Sequence, residues 1–147
     1  MKSYQLETAL RSHPETKEAF LGVFASDELP TTVNIDDVAL IANTDPSHMP
    51  GQHWCAFYVT ADCVYYFDPY GLPPLVKSFD TLMRCRKKSL VFPRRLQGSG
   101  TVCGHYCLYF ILAMARKDAD VMMDKFGQHL DANDRLVRME TLRHFRV

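Results

Sequence analysis

Between Val102 and Arg116 the chain is apolar almost without interruption, over a length that suits a helix better than a strand. A helix that is apolar on every side cannot lie on a surface and has to be covered all round. The rest of the chain is therefore expected to wrap this segment, with Cys107, Tyr109, Phe110, Leu112 and Met114 buried in it. A glycine-rich loop, Gln97-Gly98-Ser99-Gly100-Thr101, leads into the segment and delivers Cys103 to the start of the helix. Unpaired N–H groups and the positive end of the helix dipole favour a thiolate at that position.

The elements around this helix alternate in type. Residues 3 to 20 read as helical through Tyr4, Leu6, Ala9 and Leu10, with Pro14 opening a second short helix. Phe20 to Ala25 is an extended apolar run whose Gly22 would let another backbone approach. A strand is expected within Val33 to Asn43, then a loop from Thr44 to Gln52. Trp54–Thr60 and Val64–Phe67 are aromatic and β-branched and form a hairpin about Ala61-Asp62-Cys63. Val76 to Arg84 reads as a helix, Ser89 to Phe92 as a short strand, and Asp118–Leu130 and Asp134–Phe145 as closing helices. The last is read as amphipathic through Leu136, Val137, Met139 and Leu142. The expected fold is one α+β domain over residues 1–147, a small, mostly antiparallel sheet packed on the buried central helix.

Composition excludes more than it selects. Seventeen basic residues balance seventeen acidic ones, so no global charge draws the chain to nucleic acid or acidic lipid. No window approaches the ~18 apolar residues of a membrane span. Five cysteines with no secretory leader point to an intracellular, reducing setting with free thiols. Their spacings are not those of a zinc site, so no metal is expected. Arg84, Arg86, Lys87, Lys88, Arg94 and Arg95 crowd a short interval, which reads as a solvated face or as a weak polyanion contact.

Four residues together carry a chemistry that none carries alone. Cys103 reads either as a buried structural thiol or as a nucleophile. His53 leaves a Pro-Gly-Gln loop at the mouth of a strand, where an imidazole can take a thiol proton. Asp68 ends the neighbouring strand, so a hairpin puts it beside His53, where a carboxylate fixes tautomer and orientation. Its bland reading is an Asp-Pro turn. Gln97 would add a carboxamide donor to the Cys103 N–H for an oxyanion. His105 is a rival base, but two positions along a helix it faces another side. The set implies a thiol hydrolase.

His53-Trp54, Tyr65-Tyr66-Phe67-Asp68-Pro69-Tyr70-Gly71 and Gln97 through Cys103-Gly104 follow in the order His, acid, Gln, Cys. Their order and wording resemble the adenovirus-type (adenain-like) endopeptidases of the Ulp1-like cysteine protease clan. The resemblance covers roughly residues 4 to 115. It implies an Ulp1/adenain-like fold in which Cys103 attacks a peptide carbonyl, His53 serves as base and acid, Asp68 orients it, and Gln97 stabilises the oxyanion. It also implies glycine beside the scissile bond, with Gly22 and Trp54 forming a narrow substrate groove. A viral relative would act in the host nucleus or virion, with an activating peptide and DNA as cofactors. Two features depart from the adenoviral pattern: the acid is Asp rather than Glu, and the Gln-to-Cys spacing matches the SUMO-protease branch. A deconjugating protease for SUMO- or ubiquitin-like modifiers and a silent binding module of the same fold stand as alternatives.

Overall fold

A computed structural model describes residues 1–147. The elements are α1 (Ser3–Ser12), β1 (Phe20–Phe24), β2 (Val38–Asn43), β3 (Trp54–Val59), β4 (Cys63–Phe67), α2 (Lys77–Met83), β5 (Lys88–Val91), α3 (Cys103–Arg116), α4 (Ala119–Met123) and α5 (Leu130–Phe145). The architecture is α+β. A five-stranded sheet runs in the order β1-β2-β3-β4-β5. Its three central strands are antiparallel, while β1 joins β2 and β5 joins β4 in parallel. One apolar cluster fills the space between the sheet and α1, α3 and α5, and a second lies on the other face beneath α2.

The apolar segment forms α3 and is buried from Tyr106 to Ala113, as its composition requires. Phe110 of α3 stacks on Phe67 of β4 with ring centroids 4.7 Å apart, tying helix to hairpin. Met114 is only half-buried. No helix is long and apolar enough to cross a membrane.

Three elements differ from the expectation. α1 ends at Ser12, because residue 13 precedes Pro14 and is driven to extended backbone (ψ 128°), and residues 13–19 are turns rather than a second helix. Tyr4 faces out, 64% exposed. The helix expected to reach Leu130 stops at Met123; Asn133 holds both the N–H and the carbonyl of Gly127, at 2.9 Å each, and α5 starts at Leu130. Finally, α5 does not bury Met139 or Leu142, which are 64% and 60% exposed. It turns Asn133, Asp134, Val137, Glu140 and Thr141 inward, and the first two meet the need of the backbone they cover for polar partners.

The segment after β4 folds against the one leading to α3. Pro69 O accepts the N–H groups of both Leu96 and Gln97 at 2.9 Å. Gly71 makes the approach possible: its φ is +72°, and a Cβ there would lie 2.7 Å from Arg95 N. Gly71→Ala is expected to lower stability by about 1–3 kcal/mol or more, since strain and backbone clash combine. Urea titration measures this, and an unchanged midpoint would contradict it.

Candidate active site

Cys103 is the first residue of α3, His53 immediately precedes β3, and Asp68 immediately follows β4. The β3–β4 register pairs Ala56 with Phe67, so the pairing carries Cys55 opposite Asp68 and His53 opposite Tyr70. His53 Nε2 lies 2.7 Å from Asp68 Oδ1. The carboxylate only accepts, so Nε2 carries the hydrogen and Nδ1 is the ring nitrogen left for the thiol. Asp68 is 4% exposed, and its Oδ1 also accepts the Tyr70 N–H at 2.8 Å. Tyr70 stacks on the imidazole, centroids 4.8 Å apart, holding the ring from its face while Asp68 holds its edge.

The electrostatics favour an ion pair. Burial opposes charge on His53, but the hydrogen bond to Asp68, reinforced by those to Cys103 and Cys55, outweighs it and pushes the pKa up to about 12. Burial likewise opposes a Cys103 thiolate, yet the hydrogen bond from His53 and the Trp54 backbone bring its pKa below the ordinary thiol value. A raised histidine and a lowered cysteine leave a wide window in which thiolate and imidazolium coexist. Thiol alkylation should therefore rise through a midpoint below pH 9 and stay flat until His53 deprotonates near pH 12. Asp68→Asn removes the largest influence that raises His53 and leaves the burial that lowers it. The imidazolium is lost, the thiol loses its cation, and the alkylation midpoint should move up in pH. The iodoacetamide rate against pH reads this; identical midpoints in wild type and variant would contradict it.

Gln97 is buried in the loop before α3. Its Nε2 donates to Gly100 O at 2.7 Å and stands 3.4 Å from the Tyr70 hydroxyl. Its Oε1 has no partner, and the first N–H groups of α3 have none within the helix. Gln97 and Cys103 line the same cleft of about 980 Å³, together with His53, Trp54 and Tyr70. His105, the rival base, is held down to about pKa 4, chiefly by burial and then by Arg138, and is neutral.

The structure thus brings His53, Asp68, Gln97, Cys103 and Trp54 together. Trp54 is half-buried in the cleft wall and donates its indole N–H to Met1 O at 2.9 Å. Gly22 is not part of the cleft. It is buried beneath the Phe24 ring, 3.1 Å from where its Cβ would be, so a side chain rather than a backbone approaches it. Val23, Phe24 and Ala25 form that wall instead. Several residues of the basic interval have partners of their own. Arg86 donates to Thr60 O, Val33 O and Ile35 O, Arg94 to Phe126 O, and Arg95 to Gln97 O. Arg84 pairs with Asp80 and Lys88 with Asp62, leaving Lys87 exposed.

Sequence reasoning passed over two residues of the site. Tyr70 touches His53 and Asp68 and reaches Gln97. Cys55 is fully buried under the His–Asp pair; burial pushes its thiol up, and it accepts the Tyr66 hydroxyl at 3.1 Å. The hairpin register could have found both, since it sets them opposite His53 and Asp68. His53, Cys55 and Asp68 present ligand atoms within 4.8 Å of one another, a geometry able to hold a metal, although here they bond among themselves and to neighbours.

No protein-family model matches the chain, and no curated protein matches it. Among solved structures it is similar to the crystal structure of the selenomethionine ASFV pS273R protease, with 23% identity and a TM-score of 0.48. The match covers 73% of this chain and 43% of that one, so this chain spans less than half of that protein's length.

Proposed function

We propose that the chain is a cysteine-type endopeptidase of the Ulp1/adenain-like kind. The observation that carries this reading is a single one: His53, held 2.7 Å from Asp68, lines the same cleft as the Cys103 thiol at the head of α3. In the reaction the Cys103 thiolate adds to a peptide carbonyl carbon, and the Cys103 N–H and Gln97 receive the oxyanion. The imidazolium of His53 then gives its proton to the leaving amine as the C–N bond breaks, leaving a thioester. Neutral His53 next takes a proton from water, whose hydroxide displaces the thiolate and releases the carboxylic acid product.

The sites cleaved contain glycine, and the substrates are structural proteins of a virus or virus-like element. The resemblance of the His53, Asp68–Gly71 and Gln97–Cys103 segments to adenain-like enzymes supports this, as does the aromatic wall that Trp54 gives the cleft. The test sets a Gly-Gly-containing peptide beside a SUMO-type fusion, each with wild type and Cys103→Ala. Cleavage of the peptide by wild type alone is expected. Cleavage of the fusion with none of the peptide would turn the reading to deconjugation, and no cleavage of either would overturn it.

A further inference from the structure

Asp134 is a carboxylate 7% exposed, on the inward face of α5, far along the chain from the cleft residues. Every donor that it meets is neutral. Its oxygens accept the Gly98 N–H at 3.1 and 3.2 Å, the Gly100 N–H at 3.3 Å and the Tyr106 hydroxyl at 2.8 Å. Burying a charge without a cation is costly, and only an acceptor-only group satisfies several converging donors. The two peptide groups that it binds belong to the loop that carries Gln97.

The contacts form one chain. Asp134 holds Gly100 by its N–H, and Gly100 by its carbonyl holds Gln97 Nε2 at 2.7 Å. Asp134 also holds the N–H of Gly98, which closes the peptide following Gln97. The head of α5 crowds both glycines: a Cβ on Gly98 would lie 2.8 Å from Asp131 Oδ1 and 3.2 Å from Asp134 Oδ2, and one on Gly100 would lie 3.0 Å from Asp134 Oδ2. With the loop N–H groups aimed at α5 and one Gln97 Nε2 hydrogen on Gly100 O, the donors left to serve the cleft are the Cys103 N–H and the second Nε2 hydrogen, whose contact with the Tyr70 hydroxyl is long at 3.4 Å.

We infer that Asp134 is a positioning residue for the oxyanion site, acting through Gly100 on Gln97. The inference rests on reading Cys103 as a nucleophile, but not on any peptide substrate. Asp134→Asn keeps the volume and turns an N–H₂ toward N–H donors, loosening the loop without touching His53 or Asp68.

The test compares two reagents at Cys103. p-Nitrophenyl acetate acylates the thiolate through a tetrahedral oxyanion and expels p-nitrophenolate. Iodoacetamide alkylates it by displacing iodide, with no oxyanion. Removal of an oxyanion donor costs about 10²–10³ in rate, so a loosened one should cost about tenfold or more in acylation. Alkylation rate and its pH midpoint should stay as in wild type. In a Gln97→Ala background Asp134→Asn should cost nothing further, because the two act on one group. Asp124→Asn, at an exposed carboxylate just after α4, should change neither reaction. Should Asp134→Asn fail to fold, Tyr106→Phe, which removes one donor to the carboxylate, should show the same split at smaller size. Equal acylation in wild type and variant, a parallel fall in alkylation, or full additivity with Gln97→Ala would each overturn the inference. A wild-type thiol that alkylates but is never acylated would do so too. Absence of peptide cleavage, by contrast, would overturn only the proposed protease function.

Discussion

Cys103→Ala abolishes peptide cleavage and leaves the fold standing: this is the largest effect expected. Losses on the order of 10⁴ to 10⁶ are usual when a covalent nucleophile is removed, because the remaining groups cannot form the acyl intermediate. Cys103→Ser should be nearly as inactive. A hydroxyl is a far weaker acid than a thiol, and the groups that lower the Cys103 pKa act against burial that raises it. Neither change opens a large cavity, since Cys103 is only half-buried at the cleft. Turnover of the Gly-Gly peptide and the midpoint of thermal unfolding should be measured on the same preparations. Turnover within tenfold of wild type would remove Cys103 from the reaction.

His53→Ala should come close to this in rate and exceed it in damage. The imidazole supports the thiolate and later supplies the proton for the leaving amine, so its loss removes both functions. It also leaves Asp68 buried with the Tyr70 N–H as its remaining contact at Oδ1. Breaking a buried pair from one side costs about 3–5 kcal/mol in stability, so this variant should unfold earlier. His53→Gln separates the two effects, because a carboxamide N–H can still donate to Asp68. Its expected behaviour is near-wild-type unfolding with turnover still lost. Equal destabilisation in both variants would show that the Asp68 hydrogen bond is not what His53 contributes to the fold, and activity in His53→Gln would exclude it as the proton carrier.

Much of the site follows from local patterns. The hairpin was legible because β3 and β4 are aromatic and β-branched runs around a short turn, and its antiparallel pairing then brings His53 to Asp68. α3 was legible because a segment apolar on every face has one place to go. The same rule misread α5. Leu136, Val137, Met139 and Leu142 made a convincing stripe, but Met139 and Leu142 face solvent while Asn133 and Asp134 face in. That helix was set by the hydrogen-bonding needs of residues 96–100 and 127, which no local periodicity encodes. In the basic interval, no local pattern shows that Arg86 and Arg94 answer carbonyls distant in sequence.

The sequence by itself determined the candidate groups and their order, because the thiol, the imidazole and the acid each stand at the end of an element whose pattern is local, with the carboxamide in the loop that leads into α3. Tertiary structure alone decided what surrounds them. It placed Cys55 beneath the His–Asp pair, stacked Tyr70 on His53, moved the groove wall from Gly22 to Val23–Ala25, and brought Asp134 to the loop of Gln97. Those relations are long-range contacts, set by how elements pack and which buried polar groups need partners, and so they appear only once the chain has closed on α3.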